Sequence, residues 1–181
     1  MMRLLILCLG LITLIPKGLY AEEIQDSISP TAIKIIVLVR HAEKSASTSK
    51  DPSLSPKGEL RAKSLLSTLK KTQLSGLIAT PYKRTQETLH PMSEQRNLPV
   101  MIIDINAGIT AHIDATVKKI QARKGNVLVA AHSNTLPLII SALGGPEIDS
   151  IDEDEYSNMY ILSVSETNKV ELSHTSYGQQ R

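Results

Sequence analysis

Residues 35–44, IIVLVRHAEK, decide the fold and mark a first candidate site. Their β-branched half predicts a buried strand over about Lys34 to Val39. Ligand sites of open α/β sheets lie just beyond the carboxyl ends of such strands. The first two residues past this strand are Arg40 and His41. A guanidinium offers a fork of donors to phosphate and a neutral imidazole can act as a nucleophile, so this junction predicts an anion site.

Along the rest of the chain, predicted strands alternate with predicted helices. The pattern predicts strands over 76–79, 99–103 and 127–131, and helices beginning at 56 and 80 and spanning 109–123 and 136–143. Segments 160–164 and 170–173 predict a closing hairpin. Together these elements predict an α/β fold, a three-layer α/β/α sandwich with a mostly parallel central sheet and an antiparallel edge.

Two dipeptides predict helix starts, because a hydroxyl N-cap followed by Pro favours the first turn. They are Ser55-Pro56 and Thr80-Pro81. The helix after Pro56 has an apolar stripe with helical spacing, formed by Ala62, Leu65, Leu66 and Leu69.

Two further strand ends carry groups that bind anions. Arg84 falls in the first turn after Thr80, where helix amides also favour an anion. His132 ends the strand 127–131 and precedes Ser133 and Asn134, both good N-cap residues. A solvated surface cation is the alternative for Arg84, and a core histidine is the alternative for His132.

In this order the segments resemble the motifs of the histidine phosphatase superfamily, which includes phosphoglycerate mutases and phosphohistidine phosphatases. The similar segments are Arg40-His41-Ala42-Glu43 (RHG, with Ala for Gly), Leu54–Ala62 (LSxxGxxQA), Thr80–Thr88 (SPxxRxxQT) and Ala131–Asn134 (the second GH motif). The resemblance spans roughly residues 33–164. It implies a metal-independent phosphatase that forms a phosphohistidine intermediate on His41.

The resemblance also implies the roles of the other site residues. Arg40 and Arg84 are expected to hold the phosphoryl oxygens, and His132 to donate a hydrogen bond to them while protonated. The cations beside His41 are expected to lower its pKa below the usual value of ~6.5. The remaining histidines, His90, His112 and His174, are expected at the surface, with His112 a candidate for the rim of the site.

The general acid is the least defined part of the site. Asp104, just past the third strand, is the tentative acid, and Glu43 and Asp51 are alternatives expected to be solvated or to cap helices. The phytase-like branch carries its acid as His-Asp, whereas this chain has His132-Ser133. Without a strong acid, phosphohistidine or acyl phosphate becomes more plausible as a substrate.

Two other functions are compatible with the same motifs. One is a phosphate- or phosphosugar-binding protein with weak or no catalysis. The other is a phosphomutase, which needs an enclosing lid for which the chain has little spare length. No Walker loop or Rossmann fingerprint is present, and His41-Ala42-Glu43 does not supply converging zinc ligands, so neither a cofactor nor a metal is expected.

The N-terminus predicts export. Residues 1–21 resemble a signal peptide, with Arg3, an apolar run over 4–15 and Ala21; an uncleaved anchor is the alternative. Residues 22–32 are expected to be an extended lead-in, 33–175 one domain and 176–181 a polar tail. The product would be periplasmic or secreted, with no membrane span in the mature chain. It would lack cysteine, because Cys8 is the only one.

The charge balance argues against nucleic acid as a partner. Removing Arg3 and Lys17 leaves 18 basic and 18 acidic residues, and the chain has no Trp or Phe on which bases could stack. The expected partner is a phosphorylated small molecule or a phosphoprotein.

Overall fold

The computed structural model describes residues 33–179, which form a six-stranded mixed sheet and four helices. In chain order the elements are β1 (Lys34–Arg40), α1 (Pro56–Thr68), β2 (Leu74–Ala79), α2 (Lys83–Arg96), β3 (Val100–Ile102), α3 (Ile109–Gln121), β4 (Asn126–Ala131), α4 (Leu136–Ala142), β5 (Asn158–Val164) and β6 (Val170–Ser176). The strands lie in the order β3-β2-β4-β1-β5-β6. The first four are parallel, and β5 and β6 form an antiparallel edge. This confirms the predicted α/β fold class.

Strand β1 is covered on both faces. Ile36 and Leu38 belong to one apolar cluster, which includes residues of α3 and α4. Val37 and Val39 belong to a second cluster, which includes residues of α1 and α2. Because successive side chains of a strand point to opposite faces, the two helix pairs cover opposite faces of the sheet. The result is the predicted three-layer arrangement.

Helix α1 begins as its sequence predicts. Ser55 Oγ accepts a hydrogen bond from the Gly58 amide at 3.1 Å, and Pro56 is the first helical residue. Of the predicted stripe, Ala62, Leu65 and Leu69 are buried and Leu66 is partly buried.

Helix α2 begins later than predicted. It starts at Lys83 and has no side-chain cap, because the Thr80 hydroxyl bonds to Thr85 and His132 instead. Helix α4 starts at Leu136, as predicted, but a turn over 133–135 precedes it, so Ser133 and Asn134 are not its caps. His132 therefore precedes a turn rather than a helix N-terminus.

Packing continues past the predicted domain end at 175. Strand β6 runs to Ser176, and the next residue, Tyr177, is buried and accepts a hydrogen bond from Arg61 Nη1 on its carbonyl oxygen at 2.8 Å. The predicted leader and lead-in lie outside the described residues. Within residues 33–179 no helix is long and apolar enough to cross a bilayer.

Candidate active site

The candidate site lies where three neighbouring parallel strands end. Strands β2, β4 and β1 are adjacent in the sheet, so their carboxyl ends meet at one edge. Thr80, His132 and His41 follow these three ends directly. The His41 amide donates to the Ala131 carbonyl at 2.9 Å, which fixes the start of the loop after β1 against β4. The two imidazole centroids are 5.3 Å apart.

A cavity of about 390 Å³ opens at this edge, and its lining includes Arg40, His41, Arg84 and His132. The structure therefore brings together the four side chains that the sequence singled out as phosphate ligands and nucleophile. Their catalytic roles stay predictions. Among the described residues, no group of three or more His, Cys, Asp or Glu side chains is arranged to hold a metal ion.

His41 is buried and its ring is held in one tautomer. Nδ1 lies 2.8 Å from the Ala42 carbonyl oxygen, which can only accept, so Nδ1 carries the proton and Nε2 keeps its lone pair. Burial, followed by the charges of Arg84 and Arg40, lowers the pKa of His41 to about 4 despite the opposing effect of that carbonyl. The predicted direction is right, but burial outweighs the cations as its cause.

Arg40 is the last residue of β1 and is only 2% exposed. Its Nη1 donates to the Asp152 carbonyl oxygen at 2.7 Å, and its Nη2 pairs with Glu153 Oε2 at 3.0 Å. The guanidinium lies 4.3 Å from the centre of the Tyr156 ring. Its Nε is buried and has no hydrogen-bond partner.

Arg84 is the second residue of α2, and its guanidinium lies 4.3 Å over the Tyr82 ring. Its Nη1 is 3.8 Å from Asp51 Oδ1, and its Nε, like that of Arg40, is buried without a partner. The side chain is 16% exposed, which excludes the alternative of a fully solvated cation.

His132 is buried and contacts the Thr80 hydroxyl through Nε2 at 3.0 Å. That contact leaves Nδ1 as the nitrogen for a ligand. Burial, then the charges of His41 and Arg84, lowers the pKa of His132 to about 3, so the ring is neutral in the unliganded protein. Its expected protonation concerns the complex and remains a prediction.

The tentative acid, Asp104, does not point into the cavity. Its exposed carboxylate accepts hydrogen bonds through Oδ1 from the amides of Ile105 at 2.7 Å and Asn106 at 3.1 Å. These bonds lower the pKa of Asp104, which favours the charged form. Asp104 caps the turn after β3 and is not among the residues that line the cavity, and its role as proton donor stays a prediction.

Two expectations about solvated side chains were wrong. Glu43 is buried and forms an ion pair with Arg61, with Nη2 and Oε1 2.8 Å apart. His112 is 3% exposed, and its Nδ1 lies 3.0 Å from the Asp104 carbonyl oxygen. His90 and His174 are exposed, as expected.

Three lining or neighbouring groups were missed by the sequence reasoning. Glu153 lines the cavity, Tyr156 stacks on Arg40, and Tyr82 packs edge-on to His132 with centroids 5.3 Å apart. The acidic run over 152–155 was the feature of the sequence that could have indicated Glu153. Nothing local in the sequence indicated which side chain of that run would face the cavity.

The model of the histidine phosphatase superfamily (branch 1) matches residues 36–105 of this chain. The matched segment includes Arg40, His41 and Arg84. No curated protein matches the sequence.

Solved structures share this fold at low identity. The putative phosphohistidine phosphatase SixA from Nakamurella multipartitia is 16% identical, with a TM-score of 0.56 over 81% of this chain and 97% of that chain. The protein histidine phosphatase SixA complexed with tungstate is 15% identical, with a TM-score of 0.61 over 78% of this chain and 96% of that chain. Mycobacterial glucosyl-3-phosphoglycerate phosphatase is 13% identical, with a TM-score of 0.59 over 81% of this chain and 99% of that chain.

The fold and the cavity define an α/β protein in which two arginines and two histidines line one cavity at the carboxyl edge of the sheet. The histidine phosphatase superfamily model matches residues 36–105 of this chain, and the solved structures share its fold.

Proposed function

We propose that this chain is an exported phosphatase that hydrolyses a phosphorylated small molecule or protein group through a phosphohistidine on His41. One observation carries the proposal: Arg40 and Arg84 line the same cavity as His41 and His132. Guanidinium groups hold phosphate through charge-assisted hydrogen bonds, and a phosphoryl group has three oxygens that can accept them.

The chemistry follows from the tautomer of His41. Its Nε2 lone pair forms a bond to phosphorus while the bond from phosphorus to the leaving group breaks. Charge on the phosphoryl oxygens is stabilised by the two guanidinium groups and by a hydrogen bond from His132. Water then attacks the phosphohistidine, the P–N bond breaks, and inorganic phosphate leaves. The match of residues 36–105 to the histidine phosphatase superfamily model supports this sequence of steps.

The names of the structural neighbours include a protein phosphohistidine and a phosphorylated sugar acid as substrates. The cavity, of about 390 Å³, is open to solvent, so a phosphoryl group attached to a larger molecule could enter it. We therefore propose either class for this chain.

Trapping of the intermediate tests the proposal. Rapid denaturation during turnover of a radiolabelled phosphomonoester is expected to leave a phosphoryl group on the protein that is stable to alkali and labile to acid. His41→Asn should abolish the label. His90→Asn, at an exposed histidine on α2, is the matched control and should keep it.

The outcomes separate the rival functions. Tight phosphate binding without any label would identify a binding protein. Release of an isomer of the substrate instead of inorganic phosphate would identify a mutase. Either result would overturn the phosphatase proposal.

Export is a separate part of the proposal and rests on residues 1–21. Fractionation of cells that express the full chain should place the protein outside the cytoplasm, and mass spectrometry should show a new N-terminus near residue 22. A cytoplasmic protein of full length would contradict export and leave the phosphatase proposal unaffected.

A further inference from the structure

Glu153 holds its carboxylate at the mouth of the phosphate cavity. Its Oε2 lies 3.0 Å from Arg40 Nη2, and its Oε1 accepts a hydrogen bond from Ser133 Oγ at 2.9 Å. Of the described residues that line the cavity, Glu153 alone carries a carboxylate. Because its side chain is 77% exposed, it lies on the solvent side of Arg40, which is buried.

The backbone on both sides of Glu153 is hydrogen-bonded to Arg40. Arg40 Nη1 donates to the carbonyl oxygens of Asp152 at 2.7 Å and Glu155 at 3.4 Å. The Tyr156 ring stacks on the guanidinium, and its centroid is 5.9 Å from that of His41. The position of this carboxylate is therefore tied to the group expected to hold phosphate.

The other carboxylates near the site are engaged elsewhere. Asp104 caps a turn, and Glu43 is paired with Arg61. Asp51 Oδ1 accepts from the Lys83 amide at 3.0 Å, and Glu87 Oε2 accepts from the Leu54 amide at 2.7 Å. Glu153 is the one whose carboxylate reaches the cavity.

The orientation of a bound substrate follows from which donors are buried. A phosphoryl group held by the guanidinium groups of Arg40 and Arg84 would direct its ester group toward solvent, past the exposed Glu153 side chain. In the unliganded protein, the hydrogen bond from Ser133 and the charge of Arg40 lower the pKa of Glu153. A phosphoryl group bound to Arg40 would bring negative charge next to this carboxylate, which favours its protonation, and the monoanion of a phosphomonoester carries a proton that the two groups can share.

Given the proposed phosphatase function, we propose that Glu153 is the general acid and base of the reaction, which makes alkyl phosphomonoesters substrates. The substrate monoanion gives its proton to the Glu153 carboxylate. As His41 Nε2 bonds to phosphorus and the P–O bond breaks, Glu153 passes that proton to the leaving oxygen, and an alcohol departs. The carboxylate then takes a proton from the attacking water, the P–N bond breaks, and the proton leaves on phosphate.

The test compares leaving groups in the full-length protein. Glycerol 2-phosphate has a poor leaving group and p-nitrophenyl phosphate a good one. For Glu153→Gln we expect kcat/KM to fall about 10²–10³-fold on glycerol 2-phosphate and less than about threefold on p-nitrophenyl phosphate, because only the alkoxide needs a proton. Asp154→Asn removes the same charge from the same loop, at a side chain outside the cavity lining, and should change neither rate more than about twofold.

Each other outcome overturns the assignment. Equal loss on both substrates would mean that Glu153 only positions Arg40. A gain on both would mean that it blocks the site. If the wild-type protein cleaves p-nitrophenyl phosphate but not glycerol 2-phosphate, Glu153 does not act as a general acid. If wild-type and His41→Asn proteins cleave both esters at the same rate, the proposed function fails along with it.

Discussion

Arg61 and Glu43 form a buried ion pair with two hydrogen bonds, from Nε to Oε2 at 2.9 Å and from Nη2 to Oε1 at 2.8 Å. The pair links α1 to the segment that follows β1, two residues after His41. Arg61 also donates to the carbonyl oxygens of Tyr177 and Gln179 at 2.8 and 3.0 Å, so one guanidinium fastens the C-terminal segment as well.

Arg61→Met is expected to lower the free energy of unfolding by roughly 3–5 kcal/mol, because it leaves a buried carboxylate without its main partner. Burial alone would raise the pKa of Glu43, but the hydrogen bonds and charge of Arg61 hold it below its usual value. Urea unfolding at pH 7 measures the effect. Lys63→Met, at an exposed position of the same helix, should cost less than about 0.5 kcal/mol. A loss of similar size in both variants would refute the role of the pair.

Stability should fall as the pH drops from about 6.5 toward 4. The pKa values of His41 and His132 are about 4 and about 3 in the folded protein, against about 6.5 in an unfolded chain. In this window the unfolded state binds protons that the folded state does not, so stability is complete above the unfolded pKa and is lost as the pH falls. Each histidine contributes up to about 1.4 kcal/mol per pH unit.

Urea unfolding of wild type and His41→Asn at pH 7, 6 and 5 tests this effect. The variant should lose less stability per pH unit, because one of the two depressed groups is gone. Measurements stop at pH 5 so that protonation of the carboxylates does not contribute. Parallel curves for the two proteins would show that His41 does not have a depressed pKa.

The sequence was sufficient for the fold class and for the four clustered site residues. The β-branched run of β1 and the regular change from strand to helix determine a parallel α/β sheet. The carboxyl ends of parallel strands share one edge, so His41 and His132 had to lie at the same side whatever the strand order. This is why residues 91 positions apart could be assigned to one site.

Long-range packing explains what the sequence did not predict. Glu153 contacts an arginine 113 positions earlier, and no local pattern specifies how its loop folds back over the sheet. Glu43 was expected in solvent because an unpaired carboxylate rarely lies inside. Its burial depends on Arg61, which stands where the resembled motif LSxxGxxQA has Gln. Thr80 was expected to cap α2, but the partner that captures its hydroxyl is His132, on another strand.

Inorganic phosphate should stabilise the folded protein, because it supplies acceptors to the guanidinium groups of Arg40 and Arg84, which line the cavity. At 100 times its dissociation constant the gain is about 2.7 kcal/mol, a rise in Tm of several degrees for a domain of this size. Arg84→Gln should remove most of the rise. Lys83→Gln, one residue earlier and exposed, should retain it. Equal shifts in both variants would place the anion somewhere other than this cavity.

Gly58 is the point at which α1 touches the segment that carries His41. A Cβ at this position would collide with the Glu43 carbonyl oxygen, which also accepts a hydrogen bond from the Ser55 amide at 2.8 Å. Replacing Gly by Ala inside a helix ordinarily stabilises it by about 1 kcal/mol. Here we expect Gly58→Ala to destabilise the protein by about 1–3 kcal/mol, because the backbone must move.

The same displacement should reach the site, since Glu43 lies two residues after His41. Phosphate affinity, measured by the Tm shift, is therefore expected to fall in Gly58→Ala together with stability. Ser67→Ala, at an exposed position of the same helix, should leave phosphate affinity unchanged. A stabilised Gly58→Ala protein with normal phosphate affinity would show that the contact between helix and loop is not required, and that glycine at this position serves only the helix start.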